Sequence, residues 1–543
     1  MTSDPKDTKP PRKHNDFRDK VLERLVHDED REIEDIRSEE HNRMSTNMFL
    51  SVGFTVLFTI WAVIQGESLL TIASQAKSFV TRNLSWFFIL LATGSLIYLM
   101  YLAFSRFGDV VLGDPEDQPE FSDLSWYSML FSAGMGVGLL FWGGAEPVIH
   151  FLHPPVGNPA TVEAARQAMG ITLFHWGLHG WGVYTLCAVA VAYYGFRKRK
   201  KYLVSSAVVD LFASPTLNKG LKLVADLTAT LAIIFGVAAS VGMGTYQLAA
   251  GFSHAYGWTA AKSGVGYAVI LVLVTIAFIA SATTGLKKGI QILSNVNMGM
   301  CIALMLFVFL CGPTLFILKL FVDSLGQYLS ALPSLGFRVA PFTPAYEHWM
   351  ADWTLTYFTW WIAWAPFVGI FIARISRGRT IKELILGSLA VPTLFTVAWF
   401  SVFGGTGLWY EMNTNEGIGH LVAGPNGDPA VGLFALLGHL PLSGVTSTLS
   451  LCLLFTFLVT SADSATFVIA MMTTEGDLEP RLGTKVMWGT LLATVTGILV
   501  SQGSIEPIQA AALSSAFPYS LVLILMALAV PIRLAHQVAK RRL

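Results

Sequence analysis

The sequence predicts an all-α integral membrane protein with twelve transmembrane helices, and three observations carry that expectation. Of the 543 residues, 53% are hydrophobic and 13% are charged, about half the charged share of a soluble globular protein. Apolar runs close to the ~20 residues that cross a bilayer recur down the whole chain. Two of these runs, five spans apart, carry helix breakers, as in folds built from inverted repeats around a mid-membrane site.

The chain opens with a charged tail, residues 1–46, holding 10 Lys/Arg and 13 Asp/Glu among sparse apolar positions. No cleavable signal peptide is expected, because the first apolar run starts near Asn47, behind that tail. The spans read as 47–65, 84–105, 126–151, 169–196, 223–252, 264–284, 292–318, 353–375, 381–408, 445–474, 486–501 and 511–534. The connection 316–337 is amphipathic and is expected along the surface. These runs divide into two accessory helices (47–125), a first repeat unit with its surface helix (126–337), a second unit (338–534) and a short C-terminal tail (535–543). Loops assigned alternately to the two sides, leaving out the N-terminal tail, hold 20 Lys/Arg on one side and 6 on the other. The basic side carries the C-terminus, so both termini are expected in the cytoplasm, in the inner membrane of a bacterium.

Composition also excludes. Lys/Arg and Asp/Glu balance at 36 each, which suggests no nucleic-acid partner. Cys187, Cys301, Cys311 and Cys452 sit in apolar runs and read as reduced and structural. No phosphate-cradling loop, nucleophile elbow or zinc pattern occurs, so neither an enzyme nor an organic cofactor is expected.

The breakers lie at Gly134-Met135-Gly136-Val137-Gly138 in the third span and at Pro366 and Gly369 in the eighth. On a helix, Trp353, Tyr357, Trp360, Trp361 and Trp364 of the eighth span fall within about 100° of one face. Trp176, Trp181 and Tyr184 of the fourth fall within about 140°. Interfacial belts account for Trp86, Trp126 and Trp488. They do not account for Trp360, Trp361 and Trp364, which sit mid-span. Inward-turned indoles suit a quaternary ammonium or sulfonium cation, whose diffuse charge offers no proton to donate. Three desolvated contacts at ~2 kcal/mol each would give ~6 kcal/mol, between the ~4 of millimolar and the ~8 of micromolar binding.

In the tenth span, Thr460 and Ser461 offer oxygens of the kind a hard cation takes. Glu146 and Asp463 are the deep carboxylates and candidates for proton carriage; against that, Glu146 precedes Pro147 near a span end, and Asp463 can cap local backbone amides. His175 and His179 have the i, i+4 spacing of metal ligands, but their helix shows no third ligand, and they read as packing histidines.

Five stretches resemble the betaine/choline/carnitine transporter family: FSAGMGVGLLFWGGAEP (131–147), FHWGLHGWGVY (174–184), GLKKGIQILSN (285–295), the Trp-rich 353–379 and TSADSA (460–465). The resemblance covers about 47–534. It implies a leucine-transporter-type 5+5 inverted repeat preceded by two accessory helices, a homotrimer among membrane lipids, and alternating access for trimethylammonium-type solutes. It places substrate between Trp176, Trp181 and Tyr184 on one side and Trp361 on the other. Trp360 and Trp364 lie along the eighth helix, Gly134 and Gly136 at the unwound third, and Trp353 on the outer path. Phe358 stands where some relatives have Trp; it lies about 60° beyond the Trp361 edge of the aromatic face, so the departure is expected to be tolerated.

Sodium-dependent members of that family use oxygens at positions matching Ser132, Met135, Phe457, Thr460 and Ser461, the first three through backbone carbonyls. Gly138 is not the aspartate of some proton-coupled relatives. Residues 225–252 hold none of the arginine of sodium-independent exchangers. Sodium is therefore the expected coupling ion, though Ile233 and Val237 replace the threonines proposed for a second site. One charge crossing ~100 mV contributes ~2.3 kcal/mol and a tenfold sodium gradient ~1.4, enough to concentrate a zwitterion on the order of several hundredfold. The expected function is sodium-driven import of glycine betaine or a related onium solute. Choline, carnitine or dimethylsulfoniopropionate, with proton coupling or uniport, is the alternative, and a non-transporting sensor is a further one. The osmosensing members carry a long basic C-terminal helix; about nine residues follow the last span here, so strong osmotic activation through such a helix is not expected.

Overall fold

The computed structural model describes residues 45–134, 136–209, 211–212, 214–284 and 287–540. The N-terminal tail to residue 44, Met135 and the last three residues therefore lie outside the described residues. Among those described, every regular element is a helix, and the only strand-type pairing is an isolated bridge between Val111 and Thr380.

The two N-terminal spans are α1 (Thr46–Ile64) and α2 (Gly66–Phe104). The third is divided into α3 (Asp123–Gly134), α4 (Val137–Trp142) and α5 (Glu146–Leu152), and the fourth into α6 (Val162–Trp176) and α7 (Leu178–Ala192). Then come α8 (Pro215–Tyr256), α9 (Gly264–Thr284), α10 (Lys287–Cys311) and α11 (Thr314–Gly336). The second half holds α12 (Pro344–Asp352), α13 (Thr354–Arg374), α14 (Ile381–Asn413), α15 (Ser443–Thr473), α16 (Leu482–Ser501) and α17 (Glu506–Lys540).

Local chemistry sets several of these ends. Ser214 caps α8 by accepting from the Leu217 N–H, Pro215 fills the first turn, and Gly257 closes the helix at φ 71°. Thr380 and Glu383 form a reciprocal capping box at the start of α14.

Among the described residues, eleven helices are long and apolar enough to cross a membrane. Ten match expected spans, and the eleventh is α11, expected as an amphipathic surface connection. The third and fourth spans are missing from that set because each is broken into short pieces. The break after Gly134 agrees with the glycine run. The break at Gly177 was not expected, and Tyr328 of α11 explains it. Its fully buried hydroxyl accepts from the Leu178 N–H at 2.8 Å. A Cβ at Gly177 would sit 2.5 Å from that same oxygen, so only glycine admits the tyrosine.

Two expectations are corrected. Pro366 does not interrupt the eighth span, because α13 continues through it to Arg374. The missing N–H is tolerated in a helix packed against neighbours on every side, and the actual break lies at Trp353, between α12 and α13. Trp126 and Trp488 are not belt residues: both are buried, their indole N–H groups donating to Ser376 and Thr473 hydroxyls. The guanidinium of Arg379 lies 4.0 Å from the Trp126 ring. Trp86 is exposed, as a belt residue should be.

Candidate solute-binding cage

Helices α7 and α13 pack face to face, and their aromatic stripes meet. Trp361 is the centre of the meeting. Its ring centroid lies 4.8 Å from Tyr184, 5.9 Å from Trp176 and 6.1 Å from Trp181. The Trp361 N–H donates to the His175 carbonyl at 2.9 Å and the Trp364 N–H to the Gly236 carbonyl at 2.8 Å. Trp360 donates to Ser240 Oγ at 3.2 Å. With their only polar atoms turned away into hydrogen bonds, these rings offer their faces.

A cavity of about 40 Å³ lies among Trp176, Tyr184, Trp360, Trp361, Trp364 and Gly136, closed on other sides by Ser240 and Ser461. It is large enough for a few water molecules, so admitting a trimethylammonium group requires the rings to part. Of the expected cage residues, Trp181 touches Trp361 and Tyr184 but stands behind the cavity wall. Gly134 ends α3. Ser240 was missed, although a serine set among the small residues Gly236, Ala238, Ala239 and Gly242 was a legible signal. Phe358 is buried away from the cavity, stacked 5.9 Å from His179.

A second cavity, of about 410 Å³, adjoins the first across Trp360, which lines both. Trp142, Trp353 and Tyr357 give it aromatic walls, and Lys77, Asp352 and Glu506 its charge. Trp353 thus lies outside the cage in the larger chamber. At that chamber Lys77 pairs with Asp352 at 2.7 Å.

Behind the cage is a polar hub that sequence reasoning took apart. Glu146, at the start of α5, is fully buried. Its Oε2 accepts from the Trp176 N–H at 2.7 Å and the Tyr357 hydroxyl at 2.5 Å. Its Oε1 lies 2.7 Å from His175 Nδ1 and 3.3 Å from His150 Nε2. His175 Nε2 reaches Thr354 Oγ1 at 3.0 Å. His179 is not part of this hub and contacts Thr93 instead. The metal-like trio is therefore Glu146, His150 and His175, with ligand atoms within 4.8 Å of one another. The 2.7 Å separation is that of a hydrogen bond. The Glu146/His150 i, i+4 spacing was readable in the sequence, but the arrival of His175 from another helix was not.

The hydroxyl-rich helix α15 meets the broken third span here. Ser461 Oγ and the Phe457 ring each lie 3.7 Å from where Gly136 would carry a Cβ. Thr460 donates to the Thr456 and Phe457 carbonyls at 3.1 Å, leaving its lone pairs available. Of Ser132 only the helical backbone is described. Asp463 accepts from Ser281 at 2.5 Å, tying α15 to α9 rather than capping its own backbone.

A sequence model described as "betaine/carnitine/choline family transporter" matches residues 47–539. The chain belongs to the betaine/carnitine/choline transporter family. It is a multi-pass membrane transporter rather than an enzyme, as family and relatives agree. The glycine betaine transporter OpuD of Bacillus subtilis is 38% identical over 89% of this chain and 93% of its own. A probable glycine betaine transporter of Desulfitobacterium hafniense is 36% identical over 89% and 96%. The ectoine/hydroxyectoine transporter of Virgibacillus pantothenticus is 40% identical over 84% and 89%. Among solved structures, MhsT in complex with L-phenylalanine aligns over 75% of this chain and 89% of its own, at 15% identity and TM-score 0.43.

Proposed function

We propose that this family member imports glycine betaine or a closely similar onium solute, driven by sodium, through alternating access of a 5+5 inverted repeat. The observation that carries the reading is the ring of Trp176, Tyr184, Trp360, Trp361 and Trp364 around a small cavity, because indole and phenol faces attract a diffuse onium charge. The relatives named for glycine betaine support that substrate. Ser461 at the cavity edge, with Thr460 and the Phe457 carbonyl one turn along α15, fits the oxygen donors of a sodium ion. Ser132 and Met135 would complete that set from the third span. Trp353 and the larger chamber form the outer approach, and Trp360 is the partition that must move. The Lys/Arg distribution supports a bacterial inner-membrane location with both termini in the cytoplasm, and the family resemblance extends the proposal to a homotrimer.

The test is uptake of labelled betaine into proteoliposomes. Uptake should require sodium, and Trp361→Leu should abolish it. Uptake that persists without sodium at every pH overturns the symport reading. A competition panel of choline, carnitine, ectoine and dimethylsulfoniopropionate decides the substrate.

A further inference from the structure

Glu146 lines neither of the two cavities, yet two aromatic residues of the cage region end on it. Trp176 shows its ring to the cavity and its N–H to Oε2 at 2.7 Å. Tyr357 lines the outer chamber and donates its hydroxyl to the same oxygen at 2.5 Å. The other oxygen faces His175 Nδ1 at 2.7 Å and His150 Nε2 at 3.3 Å. Among the described residues no lysine or arginine is bonded to this carboxylate.

The proton count of the hub follows from its partners. Glu146 accepts from Trp176 and Tyr357, and is positioned to accept from both imidazoles. His150 Nδ1 is buried and has no hydrogen-bond partner among the described residues. A bare lone pair is cheaper to bury there than an orphaned N–H of an imidazolium. His150 is thereby neutral, with its proton on Nε2 and pointing at Glu146. His175 can likewise donate from Nδ1 while its Nε2 accepts from the Thr354 hydroxyl at 3.0 Å. The Glu146 carboxylate is thus held by four side-chain donors, with no lysine or arginine paired to it among the described residues.

We propose that Glu146 is a positioning and charge-selecting residue of the cage, the built-in anion that makes Trp176 favour an onium head over a neutral group of the same shape. This rests on the cage reading above. Two effects act together. A carboxylate at the N–H edge of an indole pushes electron density toward the ring face, where a cation sits. The charge itself also acts across the width of one ring, through a low-dielectric interior that screens it poorly. A purely structural role, holding Trp176 and Tyr357 in place, would serve charged and neutral guests alike.

The experiment uses the purified full chain in lipid nanodiscs and compares glycine betaine with 3,3-dimethylbutanoate, in which carbon replaces the charged nitrogen. Isothermal titration gives the ratio of the two dissociation constants in wild type, Glu146→Gln and Glu146→Asp. Glutamine keeps an acceptor for Trp176 and Tyr357 and removes the charge. The ratio should favour betaine in wild type, fall by about tenfold or more in Glu146→Gln, and be largely restored in Glu146→Asp. An equal loss for both ligands in Glu146→Gln overturns the proposal and leaves Glu146 structural. So does a wild-type chain that binds the two ligands equally, which needs no variant to fold. If wild type binds neither ligand, or Trp361→Leu binds betaine as well as wild type does, the cage reading itself has failed.

Discussion

Replacing Gly138 by alanine puts a methyl group where the cage has no room for one. A Cβ there would lie 2.6 Å from Trp176 Cη2, 3.0 Å from Cζ3 and 3.4 Å from Trp360 Cη2. Carbon atoms in contact normally stay ~3.5–4.0 Å apart, so the indole must move by about an ångström. It cannot simply tilt, because its far edge is tied to Glu146 by a 2.7 Å hydrogen bond. If the ring swings, that bond to a charged group is lost, at ~1.5–3 kcal/mol. If α4 moves instead, the cavity wall at Gly136 moves with it. Either route should weaken betaine binding roughly 10- to 100-fold, while the far larger buried body of the protein stays folded. Binding is measured by titration in nanodiscs, with monodispersity and helical circular dichroism as the folding control. A folded Gly138→Ala protein that binds betaine within twofold of wild type would refute the reasoning, since it would mean that Trp176 does not set the fit.

Tyr328→Phe removes the hydroxyl that satisfies the Leu178 N–H at the break in the fourth span. A buried donor left alone costs ~1–3 kcal/mol, so the thermal midpoint should fall with helix content retained; an unchanged midpoint would show that the break is satisfied some other way. Thr460→Ala and Ser461→Ala should each raise the sodium concentration for half-maximal uptake by about tenfold or more. Sodium titration of betaine uptake checks this, and unaltered sodium dependence in both would move the ion elsewhere.

The sequence by itself determined the class of the molecule and the class of its guest. Apolar runs of membrane-crossing length, the Lys/Arg imbalance and mid-span tryptophans are all properties of composition and spacing, and they survive without coordinates. The aromatic stripes of α7 and α13 were legible because helical periodicity alone puts their residues on one face. Which stripe meets which ring was a matter of tertiary packing. Trp176 ends α6 and Trp181 lies on α7 across the Gly177 break, and of the two only Trp176 lines the cavity. Helix breaks were readable only in part, since a proline's effect depends on its neighbours: α13 runs on through Pro366, while Gly177 breaks its span because Tyr328 arrives from 150 residues away. The hub at Glu146 was the least readable feature. Its donors come from His150, His175, Trp176 and Tyr357, the last 211 residues from Glu146 in the chain. A buried charge is assigned its role by whatever the fold brings within hydrogen-bonding distance.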